Sequence, residues 1–281
     1  MDARKLAGRV LAPVRPLVQR RRGMVPGYLV VGTKRGGSTS LADWINQHPE
    51  VAPCRTRKGT HYFDVNYSRG WSWYLSAFEG RSSQWETTGE ASPYYMFHPL
   101  AAERIARHLP DARLVVSLRD PIERAWSHHR YETEKGYETE DFDRAIDLEA
   151  QRTGGEEERL RSDGSYQSFA HRHHTYLARG HYAEQLERIY GLFPREQVLV
   201  LRTEDVFTDP HTQLDRVWDH IGVSRVRLDG LSRRKETSKD LTMSPATRRR
   251  LQSYYGEWND RLYQLNGIDF RSQAAPGAEA G

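Results

Sequence analysis

The sequence predicts an α/β fold in three layers, with a mainly parallel central sheet flanked by helices. Three observations predict it. Short apolar runs, YLVVG (28–32), LVVSL (114–118) and QVLVL (197–201), have the length and β-branched content of buried strands. Between them lie stretches with apolar residues at helical spacing, and strands that alternate with helices build parallel sheets. The first run also ends in a glycine-rich turn that leads directly into a helical pattern.

Taken in order, the first run is followed by Leu41, Trp44 and Ile45, a helical stripe that halts near His48-Pro49. Leu100, Ile105 and Leu109 predict a helix over 99–109, leading into the second strand. Asp120-Pro121 then opens another helix, with proline where a missing N–H costs little. Tyr182, Leu186 and Ile189 predict a helix before the third strand; Leu214, Val217, Trp218 and Ile221 predict one after it. Two stretches fit less well. Residues 132–158 carry eleven Asp/Glu against three Lys/Arg, interrupted by Gly154-Gly155, and residues 225–250 carry nine Lys/Arg against three Asp/Glu. Within the latter, LSRRKETSKDLT has no apolar period and reads as a long loop. No internal repeat is visible.

At 281 residues the chain suits one such domain, here 28–271, with a basic arm at 1–27 and a disordered tail at 272–281. Residues 1–23 hold a net charge of +6, whereas the whole chain is +4. The body is therefore net acidic, which argues against nucleic acid as a partner and leaves the arm to meet anionic lipid or solvent. No apolar run has the length of a membrane span or a secretory leader, and Cys54 is the sole cysteine. The expected location is the cytoplasm, peripheral at the membrane if the arm binds lipid.

The turn after the first strand reads Gly32-Thr33-Lys34-Arg35-Gly36-Gly37-Ser38-Thr39-Ser40. A strand, a glycine-rich turn and a helix N-terminus form an anion site, because free N–H groups and the helix dipole face the ligand. The lysine precedes the glycines, so the order is neither the triphosphate motif GxxxxGK[ST] nor the dinucleotide motif. The loop resembles the 5′-phosphosulfate loop of sulfotransferases that use 3′-phosphoadenosine-5′-phosphosulfate (PAPS), which have a P-loop-like fold. LVVSLRDPIERAWSHH (114–129) strengthens the resemblance: Arg119 and Ser127 match, at the same spacing, the pair that grips the 3′-phosphate in that family. KGTHYFD (58–64), GEASPYY (89–95) and residues 180–210 resemble further segments of the heparan-type and related bacterial enzymes.

The resemblance implies sulfuryl transfer to a hydroxyl or amine acceptor, such as a glycan, a lipid or a small metabolite. PAPS would be the co-substrate and no metal would be needed. Lys34 would stabilise the leaving phosphate; Arg35, Gly36, Gly37, Ser38, Thr39 and Ser40 would cradle the donor with Arg119 and Ser127. Arg234 and Lys235, next to Arg233, would fold over the 3′-phosphate. The sequence departs from the family at Gly59, where the glycan-type enzymes carry a glutamate thought to act as base. If the segment is extended, residues 59 and 61 share a face, so His61 is the favoured base and Glu90 the alternative. HRHHT (171–175) and His128-His129 read as surface histidines. A P-loop kinase or ATPase, or a non-catalytic binder of anionic surfaces, remain the alternatives.

Overall fold

The computed structural model describes residues 23–56, 59–232 and 242–271. Along the chain run β1 (Tyr28–Gly32), α1 (Ser38–Ile45), β2 (Val51–Ala52), α2 (Trp71–Leu75), β3 (Thr87–Ala91), α3 (Ala101–His108), β4 (Arg113–Leu118) and α4 (Pro121–Glu134). The second half contributes α5 (Phe142–Thr153), α6 (Glu156–Ser162), α7 (Phe169–His173), α8 (Tyr182–Tyr190), β5 (Val198–Arg202), α9 (Thr203–Thr208), α10 (Pro210–Ile221) and α11 (Pro245–Asn266). The five strands are all parallel, in the order β2-β3-β1-β4-β5.

The central strand β1 is buried along its whole length, which its unbroken apolar sequence anticipates. Alternate side chains serve opposite layers. Leu29 and Val31 join Tyr62, Tyr74, Ile105 and Leu186 on one face of the sheet. Tyr28 and Val30 join Leu41, Trp44, Val217 and Trp218 on the other. Trp218 is fully enclosed; truncating such a side chain to alanine costs about 3–5 kcal/mol. A third cluster, including Ile122, Ile146, Tyr176, Leu251 and Tyr255, fastens α4, α5 and α11 together. The α/β reading of the sequence therefore holds, and each of the three predicted strands is present.

Three features differ from the sequence reading. Strand β3 reads TTGEA, with no apolar run, yet its first four residues are buried because β1 and β2 flank it. The acidic stretch is helical: α5 and α6 occupy it, separated at Gly154-Gly155, where Gly155 has φ +75°. Most of the expected loop LSRRKETSKDLT lies outside the described residues, and the basic stretch runs on into α11, a 22-residue helix capped by Ser244, whose side chain accepts from Thr247 N–H. Its buried residues, Thr247, Leu251, Tyr255, Asn259 and Leu262, form a narrow stripe in which two positions are polar.

In an open parallel sheet, ligands bind beyond the carboxyl ends of strands where the connections diverge to opposite sides. Here the chain leaves β1 toward β2 and β3 on one side and later fills β4 and β5 on the other. The loop after β1 and the Arg119 segment after β4 meet at that switch point.

Candidate active site

The loop from Thr33 to Gly37 is held by a small buried network. Gly36 N–H donates to Thr33 O at 2.9 Å. Its carbonyl accepts from Ser117 Oγ at 2.5 Å and from Thr203 Oγ1 at 2.7 Å. A Cβ at Gly36 would stand 2.7 Å from Ser117 O, so only glycine fits between the loop and β4. Gly37, at φ +78°, starts α1 and aims the amides of Ser38, Thr39 and Ser40 out of the loop. No side chain caps this helix end, which suits an anion.

Arg35 leaves the loop with φ +67° and donates from Nε to Ser127 Oγ at 3.1 Å. Its guanidinium also lies over the Tyr131 ring, 4.9 Å from the centroid. Two residues expected to bind the donor, one in each motif, are thus in contact. Ser127 sits on α4, whose N-terminus is fixed by Asp120 Oδ1 accepting from the N–H groups of Ile122 and Glu123. Burial pushes the Asp120 carboxyl up to about 6. Arg119 is half-buried at the end of β4, and Tyr182 OH donates to its carbonyl at 2.8 Å.

Lys34 points to the other end of α4. Its Nζ donates to Glu132 Oε1 at 2.5 Å and to Arg172 O at 3.3 Å. Glu132 is fully buried; Oε1 also meets His128 Nε2 at 3.0 Å, and Oε2 meets His173 Nδ1 at 2.8 Å. Burial and the nearby Arg179 charge lower the Lys34 ammonium to about 7, against an upward pull from Glu132. Burial raises the Glu132 carboxyl, but the hydrogen bonds from His128 and His173 and the Lys34 charge outweigh it and hold it far below its usual range. A desolvated ammonium beside an amide-lined loop can neutralise charge that develops on a bound oxyanion.

The turn after β2 supplies a second set of groups. Residues 59–66 are not extended: Gly59 has φ +76° and His61 has φ +50°, so the two-residue alternation expected for this segment does not apply. His61 instead faces Asp64, with Nδ1 2.8 Å from Oδ2 of that fully buried carboxylate. Burial lowers the His61 pKa, yet the Asp64 charge and hydrogen bond, aided by Glu90, raise it on balance. With Nδ1 donating to Asp64, Nε2 is left as an acceptor. Glu90, in contrast, is enclosed on β3 and accepts from Thr60 N–H and Oγ1, Ser92 Oγ and Tyr95 OH. Burial pushes its carboxyl up. That geometry braces the turn carrying His61 and does not present a carboxylate to an acceptor.

The two sets are joined. Arg104 donates to Phe63 O, Asp64 O and Gly164 O, and Gln167 Nε2 donates to Val65 O at 2.9 Å. The segment leading into α7 is thereby tied to the His61 turn, while His173 at the end of α7 is tied to Glu132. Of the five histidines read as surface residues, His128, His129 and His171 are buried, at most 7% exposed, and bond Glu132, Glu140 O and Tyr94 OH, whereas His173 and His174 are half-buried. Arg233, Arg234 and Lys235 lie outside the described residues, as do the arm before Gly23 and the tail after Arg271. Sequence reasoning missed Glu132, Asp64 and His173. Asp64 had a visible signal, three residues after His61. Glu132 had only its i, i+4 spacing from His128.

A sulfotransferase domain family model matches residues 26–238. The chain is 29% identical over 293 residues to human heparan sulfate glucosamine 3-O-sulfotransferase 6, covering 92% of this chain and 77% of that protein. It is 26% identical over 316 residues to the membrane-associated sulfotransferase kil1 of Dictyostelium discoideum, covering 89% and 67%. The crystal structure of a sulfotransferase from Alicyclobacillus acidocaldarius superposes with a TM-score of 0.70 at 27% identity, covering 88% of this chain and 97% of that one.

Proposed function

The chain belongs to the sulfotransferase domain family, and from that premise we propose that it moves a sulfuryl group from PAPS to a hydroxyl or amine acceptor. The observation that carries the PAPS reading is the Arg35–Ser127 hydrogen bond. It puts the loop suited to the 5′-phosphosulfate and the helix suited to the 3′-phosphate within one contact, and it is the 3′-phosphate that distinguishes PAPS from other adenine nucleotides. Arg119, Ser127 and Arg35 grip that phosphate through charge-assisted hydrogen bonds. Amides from Gly36 to Ser40 hold the 5′-phosphosulfate.

In the transfer step the acceptor's oxygen or nitrogen attacks sulfur, in line with the bond to the 5′-phosphate. That S–O bond breaks with its electron pair passing to the phosphate oxygen, where Lys34 stabilises the charge. His61 Nε2 takes the acceptor's proton, and Asp64 supports the imidazolium that results. His61 thereby supplies the base that Gly59 cannot, and Glu90 holds the turn in place. The relatives named for heparan sulfate make a glycan one acceptor to test beside lipids and small metabolites. The +6 arm supports a peripheral contact with anionic lipid; among the described residues no helix is long and apolar enough to cross a membrane.

The test is transfer of radiolabel from PAPS to a panel of glycans, lipids and small hydroxyl or amine compounds. Labelled product from any of them, and none from the Lys34→Ala variant, is the expected result. Absence of product together with no measurable affinity for 3′-phosphoadenosine-5′-phosphate (PAP) would overturn the reading.

A further inference from the structure

Glu132 occupies a position that helix stability disfavours. It lies in the last turn of α4, a turn with no basic residue, where the helix dipole repels a carboxylate. It is also completely removed from solvent, and a buried charge is costly unless it is paired and hydrogen-bonded. Both costs are offset by its partners: Lys34 from the phosphate loop, His128 one turn back on α4, and His173 from α7. All three converge on the two oxygens of one side chain.

The surroundings of Lys34 are otherwise cationic or neutral. Arg179, fully buried before α8, donates to His171 O and Arg172 O and keeps one terminal nitrogen without a partner. Arg172 lends its own carbonyl to Lys34 from α7, and Arg35 is the next residue in the loop. Tyr131 on α4 offers its ring face to Lys34, 5.8 Å from the centroid. His128 is held neutral by burial and by the Lys34 charge; His173 is lowered by burial, partly countered by its bond to Glu132. Among the described residues, Glu132 is the one carboxylate bonded to Lys34.

We propose that Glu132 is a positioning residue for the transfer reaction: it keeps the Lys34 ammonium charged and fixed beside the C-terminal end of α4, in a site where burial and neighbouring cations would otherwise discharge it. The inference rests on the reading of Lys34 as the group that meets the donor's 5′-phosphate. The direction of the lysine's titration agrees. Lys34 loses its proton as pH rises through about 7, and without the carboxylate the loss falls at lower pH.

The experiment uses the full-length protein and PAP, whose 5′-phosphate replaces the donor's, so no acceptor is required. Calorimetry from pH 6 to pH 9 gives the affinity of wild type, Glu132→Gln, Glu132→Asp and Lys34→Ala. The ratio of variant to wild-type Kd at each pH cancels the titration of the ligand itself. For Glu132→Gln the ratio should be about twofold at pH 6 and rise to about tenfold at pH 8.5, since each unit of displaced pKa is tenfold in charged fraction well above the midpoint. Glu132→Asp should keep the wild-type pH dependence. A Glu132→Gln ratio that does not change with pH would overturn the proposal. If Glu132→Gln does not fold, Glu132→Asp decides: a pH-dependent loss as large as that of Lys34→Ala would show that the carboxylate's charge is not what Glu132 supplies. Should Lys34→Ala bind PAP as wild type does at every pH, the reading of Lys34 fails instead.

Discussion

Arg35 Nε donates to Ser127 Oγ at 3.1 Å, so the glycine-rich loop after β1 is bonded directly to the second turn of α4. The contact matters because both ends are backed by rigid structure. The loop is pinned through Gly36 O by Ser117 and Thr203, and α4 is capped by Asp120. An anion arriving at Arg35 and Ser127 would meet a loop and a helix already in place, which lowers the cost of ordering them.

Discrimination between nucleotides follows. PAP should bind far more tightly than AMP, which lacks the 3′-phosphate. Each lost charge-assisted contact is worth about 1.5–3 kcal/mol, so Arg119→Ala and Ser127→Ala should each weaken PAP by roughly 10- to 100-fold and leave AMP nearly unaffected. Calorimetry with both nucleotides measures this; equal affinities for PAP and AMP in the wild type would remove the 3′-phosphate assignment.

Restoring the family's glutamate at position 59 should not restore a glutamate base. Gly59 has φ +76°, and a Cβ there would stand 2.1 Å from Ala91 O and 2.5 Å from Ser92 Oγ. Gly59→Glu should therefore lose stability through backbone strain of order 1–3 kcal/mol, a Tm lower by about 2–4 °C per kcal/mol for a domain of this size. Turnover should fall because the same turn carries His61. A variant with unchanged Tm and higher turnover would contradict this account.

The glycine-rich loop after β1 and the strand end and helix that it meets were legible because their signals are local. A phosphate loop needs glycine, lysine and hydroxyl residues in consecutive positions, and Arg119 and Ser127 are fixed by a strand end and a helix repeat. The Lys34–Glu132 pair spans 98 residues, and no pattern in either segment announces it. Glu132 read as one acid among eleven in a charged stretch, and only in the fold do Lys34, His128 and His173 close around it. The His61 turn was half legible. His61 was visible, but its geometry comes from a left-handed turn that an alternation rule for extended chain cannot supply. In β3 and α11, burial is imposed by neighbours on polar sequences, so hydrophobic periodicity was a poor guide there.

Two large aromatic side chains stand in solvent beside His173, the histidine bonded to Glu132. Phe169 is 52% exposed and Tyr137 is 46% exposed, and both pack on His173, at 4.5 and 4.7 Å. Exposed aromatic pairs provide contact area for a ligand. For whichever acceptor the radiolabel screen identifies, Phe169→Ala should raise KM about five- to tenfold, the loss of roughly 1 kcal/mol of ring contact. Affinity for PAP should be unchanged. Steady-state kinetics with unaltered KM would place the acceptor elsewhere.

The pH dependence of turnover tests the His61–Asp64 pair most directly. Burial works against protonation of His61, but Asp64 at 2.8 Å prevails and raises its pKa above the ordinary value of 6.5. A base acts in its neutral form, so turnover should rise with pH along an acid limb that lies above 6.5, and loss of the Lys34 proton through about 7 sets the falling limb. The same sign governs stability: the pair's contribution is full below the unfolded histidine's pKa and fades as pH rises through the folded value. Asp64→Asn removes the charge that raises the pKa, so the acid limb should move to lower pH even as turnover falls, because the imidazolium formed in the transfer step loses its counter-charge. His61→Ala should cost roughly 10²–10⁴-fold in turnover with PAP affinity intact. His61→Ala at full activity, or an acid limb that Asp64→Asn leaves in place, would show that the acceptor's proton leaves by another route.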